Sequence, residues 1–284
     1  MGLTPATIAD LPDLAAFLGA RADVNMFALS NLFHHGLGSG PGLRMRFWLA
    51  RKAGGIVGAL GLSGQGTVFP WLPALGADWQ AAARVVQGVP LAGLTGEAAC
   101  ARAFLTAANL TAAPTQRDGT EPGFALDLAR LVLPPADGVR LVVPGPDHRP
   151  TLIRWRADYV VEVLGTPPER AEAAAAADIG RALAAGRLRL LLVSGRPAAM
   201  TGFNATLPSA VQIGGVYTPP DQRGRGHARL AVALHLAEAR AAGVRHAYLY
   251  AFSEQAARAY RAIGFTPSGH MRFVTFAQPQ EARP

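Results

Sequence analysis

The stretch between Gly214 and Gly243 restricts the possible folds of this chain more than any other part. Residues 211–217 form an apolar run of strand type, and Pro219-Pro220 stops it. The loop Arg223-Gly224-Arg225-Gly226-His227-Ala228 then opens directly into an amphipathic pattern over residues 226–242, with Gly243 placed as a C-cap. A strand feeding a long helix through a glycine loop is α/β construction. A helix N-terminus carries unpaired N–H groups and the positive end of the helix dipole, and glycine lets a ligand approach the backbone closely. The segment therefore predicts a site for a diphosphate or a similar anion. The residues alone do not say which anion. GxGxxG is absent, and no Gly-Lys-Ser/Thr follows, so neither a dinucleotide fingerprint nor a P-loop is present.

The elements around this segment follow a regular order. After residue 136 the expected sequence is a strand (139–143), helices over 150–164 and 168–185, strands over 188–193, 198–205 and 211–217, the long helix, a strand (245–251), a helix (254–263) and a last strand (271–276). The first half reads similarly. It has helical spacing over 5–18 and 28–33, strands over 46–50, 55–62 and 67–71, and helices over 78–86 and 96–108. Residues 114–122 are polar and turn-rich. Leu133-Pro134-Pro135-Ala136-Asp137-Gly138 is the strongest linker signal, so domains are expected at 1–135 and 136–284. The fold class is α/β with a mixed sheet.

Composition narrows the function classes. Half of the 284 residues are hydrophobic and 16% are charged, which suits a packed core rather than disorder. Cys100 is the sole cysteine, so no internal disulfide can form and a reducing cytoplasm is expected. No basic, apolar leader opens the sequence, and no apolar run is long enough for a membrane span. Of the 27 basic residues only Lys52 is lysine, and 18 of them fall after residue 135. With so much Ala, Gly and Pro, this is a compositional bias. No basic run is interleaved with aromatics, so nucleic acid is not an expected partner. The histidines lack metal-ligand spacing, and no metal is expected.

The loop resembles the coenzyme A pyrophosphate loop of the GNAT superfamily of N-acetyltransferases, Arg/Gln-x-x-Gly-x-Gly/Ala, with Arg223, Gly226 and Ala228 at its fixed positions. The preceding Val-Tyr-Thr-Pro-Pro is similar to a common form of the family's strand end. A second signature follows: Ser253-Glu254-Gln255-Ala256, then Tyr260 and Gly264-Phe265, where family members often read Asn-x-x-Ala-x-x-x-Tyr-x-x-x-Gly-Phe. The resemblance covers about half the chain and implies two acyl-CoA N-acyltransferase domains in tandem. It implies that Val216, Tyr217 and Thr218 hold the pantetheine arm and acetyl carbonyl of acetyl-CoA. Arg223, Gly224, Arg225, Gly226, His227 and Ala228 would hold the pyrophosphate, Ser253 would contact the coenzyme or cap a helix, and Tyr260 would be the general acid. A tyrosine has an ordinary pKa of about 10, near that of a thiol, so proton transfer to a leaving thiolate is nearly balanced.

Two departures matter. Histone-type members place a glutamate base where Gln212 stands, and no carboxylate occurs between Asp178 and Asp221. Asp158 and Glu162 are the substitute candidates. The first half lacks the loop: after Trp71 it reads Leu72-Pro73-Ala74-Leu75-Gly76-Ala77-Asp78, so that half is expected to be degenerate. The expected activity is acetyl transfer to a small-molecule or peptide amine by direct attack, in a monomer or homodimer. The alternative is a non-catalytic acyl-CoA-binding sensor or interaction module.

Overall fold

The computed structural model describes residues 2–74 and 76–284; Met1 and Leu75, the latter within the segment 72–78 read above, lie outside the described residues. The chain forms two compact units, Met1–Pro122 with Gly269–Pro284, and Gly123–Ser268. Neither division falls at the 133–138 linker signal. Phe124, Leu126, Leu128 and Leu131 belong to the core of the second unit, and Val274, Phe276 and Ala282 to that of the first. Turn residues mark an exposed connection, whereas unit membership follows core packing.

The first unit contains β1 (Thr4–Pro5), α1 (Leu11–Gly19), α2 (Ala22–His35), β2 (Met45–Lys52), β3 (Gly55–Ser63), β4 (Thr67–Trp71), α3 (Trp79–Arg84), β5 (Leu91–Glu97) and α4 (Ala98–Ala107). β6 (Thr115–Asp127) leaves this unit at Pro122. In the second unit come β7 (Val139–Val142), α5 (Arg149–Glu162), α6 (Pro168–Ala184), β8 (Leu188–Val193), β9 (Arg196–Leu207), β10 (Ala210–Tyr217), α7 (His227–Ala241), β11 (His246–Tyr250) and α8 (Glu254–Arg261). β12 (Thr266–Gln280) starts here and ends in the first unit.

The two units repeat one pairing scheme. In the first, β1 to β4 are joined antiparallel, β4 pairs parallel with β5, and β5 pairs antiparallel with β12. In the second, β7 to β10 are antiparallel, β10 pairs parallel with β11, and β11 pairs antiparallel with β6. Each parallel join is short. Thr67 and Val68 pair with Gly93 and Leu94, and residues Ala210, Val211 and Gln212 pair with His246, Ala247 and Tyr248; beyond these the strands part.

The helix expected over 5–18 starts only at Leu11, and the two-residue β1 occupies Thr4–Pro5 ahead of it; two longer strands also escape pattern reading. β5 (Leu-Ala-Gly-Leu-Thr-Gly-Glu) has too little alternation, and the helix expected from residue 96 starts only at Ala98, where the Glu97 carboxylate accepts from Ala99 and Cys100 N–H at 2.9 and 3.0 Å. The expected turn-rich segment 114–122 is part of β6. Its polar half is held by Asp118, which accepts two hydrogen bonds from Arg272 at 2.9 and 2.7 Å, and its apolar half buries Phe124 and Leu126. Tertiary pairing overrides local preference in both cases.

His235 of α7 is 2% exposed and stacks on Phe203, with ring centroids 3.8 Å apart. Burial, and then the Arg189 charge, push its pKa down to about 3. An unfolded histidine binds a proton below about pH 6.5, whereas the folded site resists one until about pH 3. This group therefore stabilises the fold above the unfolded value and withdraws that stability as pH falls, at up to ~1.4 kcal/mol per pH unit. Urea unfolding from pH 7 to 4 is expected to show that slope, and His235→Leu to flatten it; an unchanged slope in the variant would assign acid sensitivity elsewhere.

Candidate active site

At the point where β10 leaves β11, β10 also breaks register with β9. Gly214 opposes Gly202 and Tyr217 opposes Met200, so one extra residue bulges out of β10, with Gly215 at φ +60°. A side chain at Gly214 would collide with the Asn204 amide. The bulge takes Gly215 and Val216 out of the β9 ladder before Tyr217 rejoins it opposite Met200.

The chain then passes through a 3-10 turn, Pro220–Gln222, and enters α7. The N-cap of α7 is Gly226 at φ +79°, and no side chain caps the helix. Its first-turn N–H groups are thus left for an outside acceptor. Arg223 holds the loop from behind. Its Nε donates to the Thr218 carbonyl at 3.0 Å, its Nη2 donates to Glu162 of α5 at 2.7 Å, and its guanidinium lies 5.6 Å from the Tyr217 ring centroid. The Glu162 contact keeps this guanidinium charged. The Tyr217 hydroxyl donates to Asp158 Oδ2 at 3.3 Å, and burial first and the Asp158 charge second raise the Tyr217 pKa. Both carboxylates proposed as bases are therefore engaged by neighbours. Gln212, 2% exposed, donates to the Ile213 carbonyl at 2.6 Å and carries no charge to accept a proton.

A cavity of about 650 Å³ occupies this gap. The residues assigned from the sequence to the coenzyme and the general acid line it: Val216, Tyr217, Thr218, Arg223 through Ala228, Ser253 and Tyr260; of the candidate bases Glu162 lines it and Asp158 does not. Tyr159, Arg229 and Phe252, not singled out from the sequence, line it too. A loop pattern cannot reveal Tyr159, which reaches the cavity from α5 through tertiary packing alone. Thr218 Oγ1, His227 Nδ1 and Arg229 Nε are buried there without hydrogen-bond partners. Burial, and then the Arg225 charge, lower the His227 pKa. Ser253 caps α8, accepting from Ala256 N–H at 3.2 Å. Tyr260 is 8% exposed, packs edge-on against Phe265 at 6.1 Å, and is held well above the ordinary tyrosine range by burial, with Tyr159 adding to the shift. Its phenol is protonated at neutral pH.

The equivalent place in the first unit is built differently. Gly96 lies against Pro70, so that a Cβ there would stand 3.0 Å from the proline ring where β4 and β5 part. The N-terminus of α3 is capped by its own residue Asp78, whose carboxylate accepts from Ala81 N–H at 2.9 Å. A carboxylate on the helix end occupies the N–H groups and repels a second anion. Cys100, buried in this unit, has its thiol pushed up to about 11 by burial, which disfavours the nucleophilic thiolate.

Comparison with known proteins bears on this geometry. Residues 151–265 match the family model described as Acetyltransferase (GNAT) family. The chain carries a GNAT acetyltransferase domain. That domain spans α5 to the Phe265 that follows α8 and so contains the whole cavity described above. The fold of the full chain is similar to that of a GCN5-related N-acetyltransferase from Sphaerobacter thermophilus (18% identity, 99% of this chain and 96% of that one, TM-score 0.57). It is also similar to an acetyltransferase of the GNAT family from Colwellia psychrerythraea (15% identity, 96% and 99%, TM-score 0.52). A tandem GNAT protein from the clavulanic acid biosynthesis pathway shares it as well (19% identity, 99% and 98%, TM-score 0.51). At these identities the likeness is one of fold, and it includes the tandem arrangement. No curated protein matches the chain. Among the described residues, no helix is long and apolar enough to cross a membrane.

Proposed function

We propose that the second unit is an acetyl-CoA-dependent N-acetyltransferase that acts on a primary amine, with the first unit a GNAT-like partner that binds no coenzyme. The observation that carries this reading is the convergence, on one cavity, of an uncapped glycine-led helix N-terminus, three unpartnered buried polar atoms and the buried phenol of Tyr260. Those features fit the coenzyme: a diphosphate needs N–H donors, and orphaned donors and acceptors are costly unless a ligand satisfies them. Acetyl-CoA supplies the acyl group as a thioester.

The chain's own residues then have separable tasks. The loop Arg223–Ala228 and the start of α7 hold the diphosphate, and Arg223 keeps the loop in place through Thr218 and Glu162. The bulged strand end at Val216–Thr218 orients the pantetheine arm, and a Val216 N–H directed at the thioester oxygen stabilises the negative charge that grows there. Tyr260 gives its proton to the departing sulfur. The acceptor amine arrives deprotonated and attacks the carbonyl directly, with no covalent enzyme intermediate, and its surplus proton leaves to water. The acid limb of the rate profile should accordingly follow the pKa of the amine.

The engagement of Asp158 by Tyr217 and of Glu162 by Arg223 favours one competing reading, an acyl-CoA-binding module without turnover. Release of free coenzyme A from acetyl-CoA in the presence of a panel of amines separates the two. Amine-dependent thiol release is the expected result; tight binding without release would establish the non-catalytic module.

A further inference from the structure

The first unit contains a polar cavity of its own, of about 500 Å³. Its lining comes from the glycine-rich segment before β2, the turn between β3 and β4, the start of β5 and Pro279 of β12. The first three are pinned to one another. Gly38 N–H donates to Met45 O at 2.8 Å, Gly64 N–H to Arg44 O at 2.9 Å, and Ala92 N–H to Gly66 O at 2.9 Å. A Cβ on Gly64 would collide with the Gly40 carbonyl oxygen, and one on Gly66 would stand 2.7 Å from that of Pro90. Part of the lining is therefore bare backbone, set by close loop contacts rather than by side-chain choice.

The charged side chains facing this cradle are of one sign. Arg44 and Arg46 both line it, and no carboxylate does. Arg44 spends only Nε, on the His35 carbonyl at 3.3 Å. Arg46 is held 5.4 Å from the Trp48 ring centroid and makes no ion pair among the described residues. Ser63 is 2% exposed; its Oγ accepts from Thr67 N–H at 3.1 Å, which leaves its hydroxyl proton for another acceptor. Ser39 and Gln65 add polar groups at the rim. Two guanidiniums beside one polar cavity repel each other unless an anion lies between them, and their planar forks suit oxygen clusters.

We propose that this cavity binds a small phosphoryl-bearing molecule, gripped by Arg44, Arg46 and the Ser63 hydroxyl. A volume of this order accommodates a small metabolite rather than a bare ion. The site lies within the first unit and does not depend on acyl transfer in the second.

The test is a titration of the ¹⁵N-labelled full chain with inorganic phosphate and, separately, with citrate, each against chloride at matched ionic strength. Phosphate is expected to shift the amides of Ser39, Gly40, Gln65 and Gly66 saturably. Arg44→Gln with Arg46→Gln should weaken that response at least ~tenfold while leaving the amides of the Arg223–Ala228 loop unchanged. Citrate acting alone would overturn the phosphoryl assignment in favour of a carboxylate ligand. Amides that fail to move with either anion, or that move equally in the double variant, would overturn the site itself. Because these amides are read separately from the coenzyme loop, failure here leaves the acetyltransferase reading intact.

Discussion

Tyr260→Phe is expected to lower turnover about a hundredfold while changing acetyl-CoA affinity less than about twofold. Burial of Tyr260 in α8 raises its pKa, which by itself makes the phenol a weaker acid than free tyrosine. The sulfur it serves would leave inside the same cavity, where low polarity also makes the thiolate a stronger base, so the two remain matched. Phenylalanine keeps the ring against Phe265 and the core packing, and removes only the hydroxyl. Steady-state kinetics with a saturating amine, beside calorimetry with the coenzyme, give the two numbers. Equal loss of turnover and affinity would make Tyr260 a packing residue. Turnover within about twofold of the parent would leave thiolate departure unassisted by this group.

The second large effect is expected at Gly226. Its backbone, at φ +79°, lies where an L-residue pays roughly 1–2 kcal/mol. A Cβ there meets only the end of the flexible Arg229 side chain, at 3.4 Å, so Gly226→Ala should fold. Relaxing the strain rotates the first peptide of α7 and misdirects the N–H groups that would meet the diphosphate. Coenzyme affinity is expected to fall at least ~tenfold, with turnover at saturation nearly preserved, because the acid and the strand end stay in place. The melting temperature should drop only a few degrees. An unchanged dissociation constant would mean that the diphosphate does not rest on this helix end.

The candidate site was more legible in the sequence than the limits of the units. Glycine at a helix start, a Pro-Pro stop and a loop of fixed spacing are local features, and local chemistry dictates them: Gly226 must adopt a left-handed conformation, and Ser253 must cap α8. The residues assigned to the coenzyme and the acid accordingly meet around one cavity. The competing commitments of Asp158 and Glu162 were not legible. They arise because α5 packs beside β10 and the loop, a contact across about 60 residues of chain. β6 was hidden for a similar reason. Gly119 and Pro122 read as turn residues until the partners Arg272 and Tyr250, far along the chain, supply the pairing. The linker signal at 133–138 marked an exposed crossing but not the core to which its flanks belong.

Calorimetric titration of the intact chain with acetyl-CoA reads out the anion site at the uncapped start of α7 and the lack of one at the Asp78-capped start of α3. Saturable heat at one coenzyme per chain is expected, with the dissociation constant raised at least ~tenfold in Gly226→Ala and nearly unchanged in Tyr260→Phe. No heat with the unaltered chain, or two equivalents bound, would contradict it.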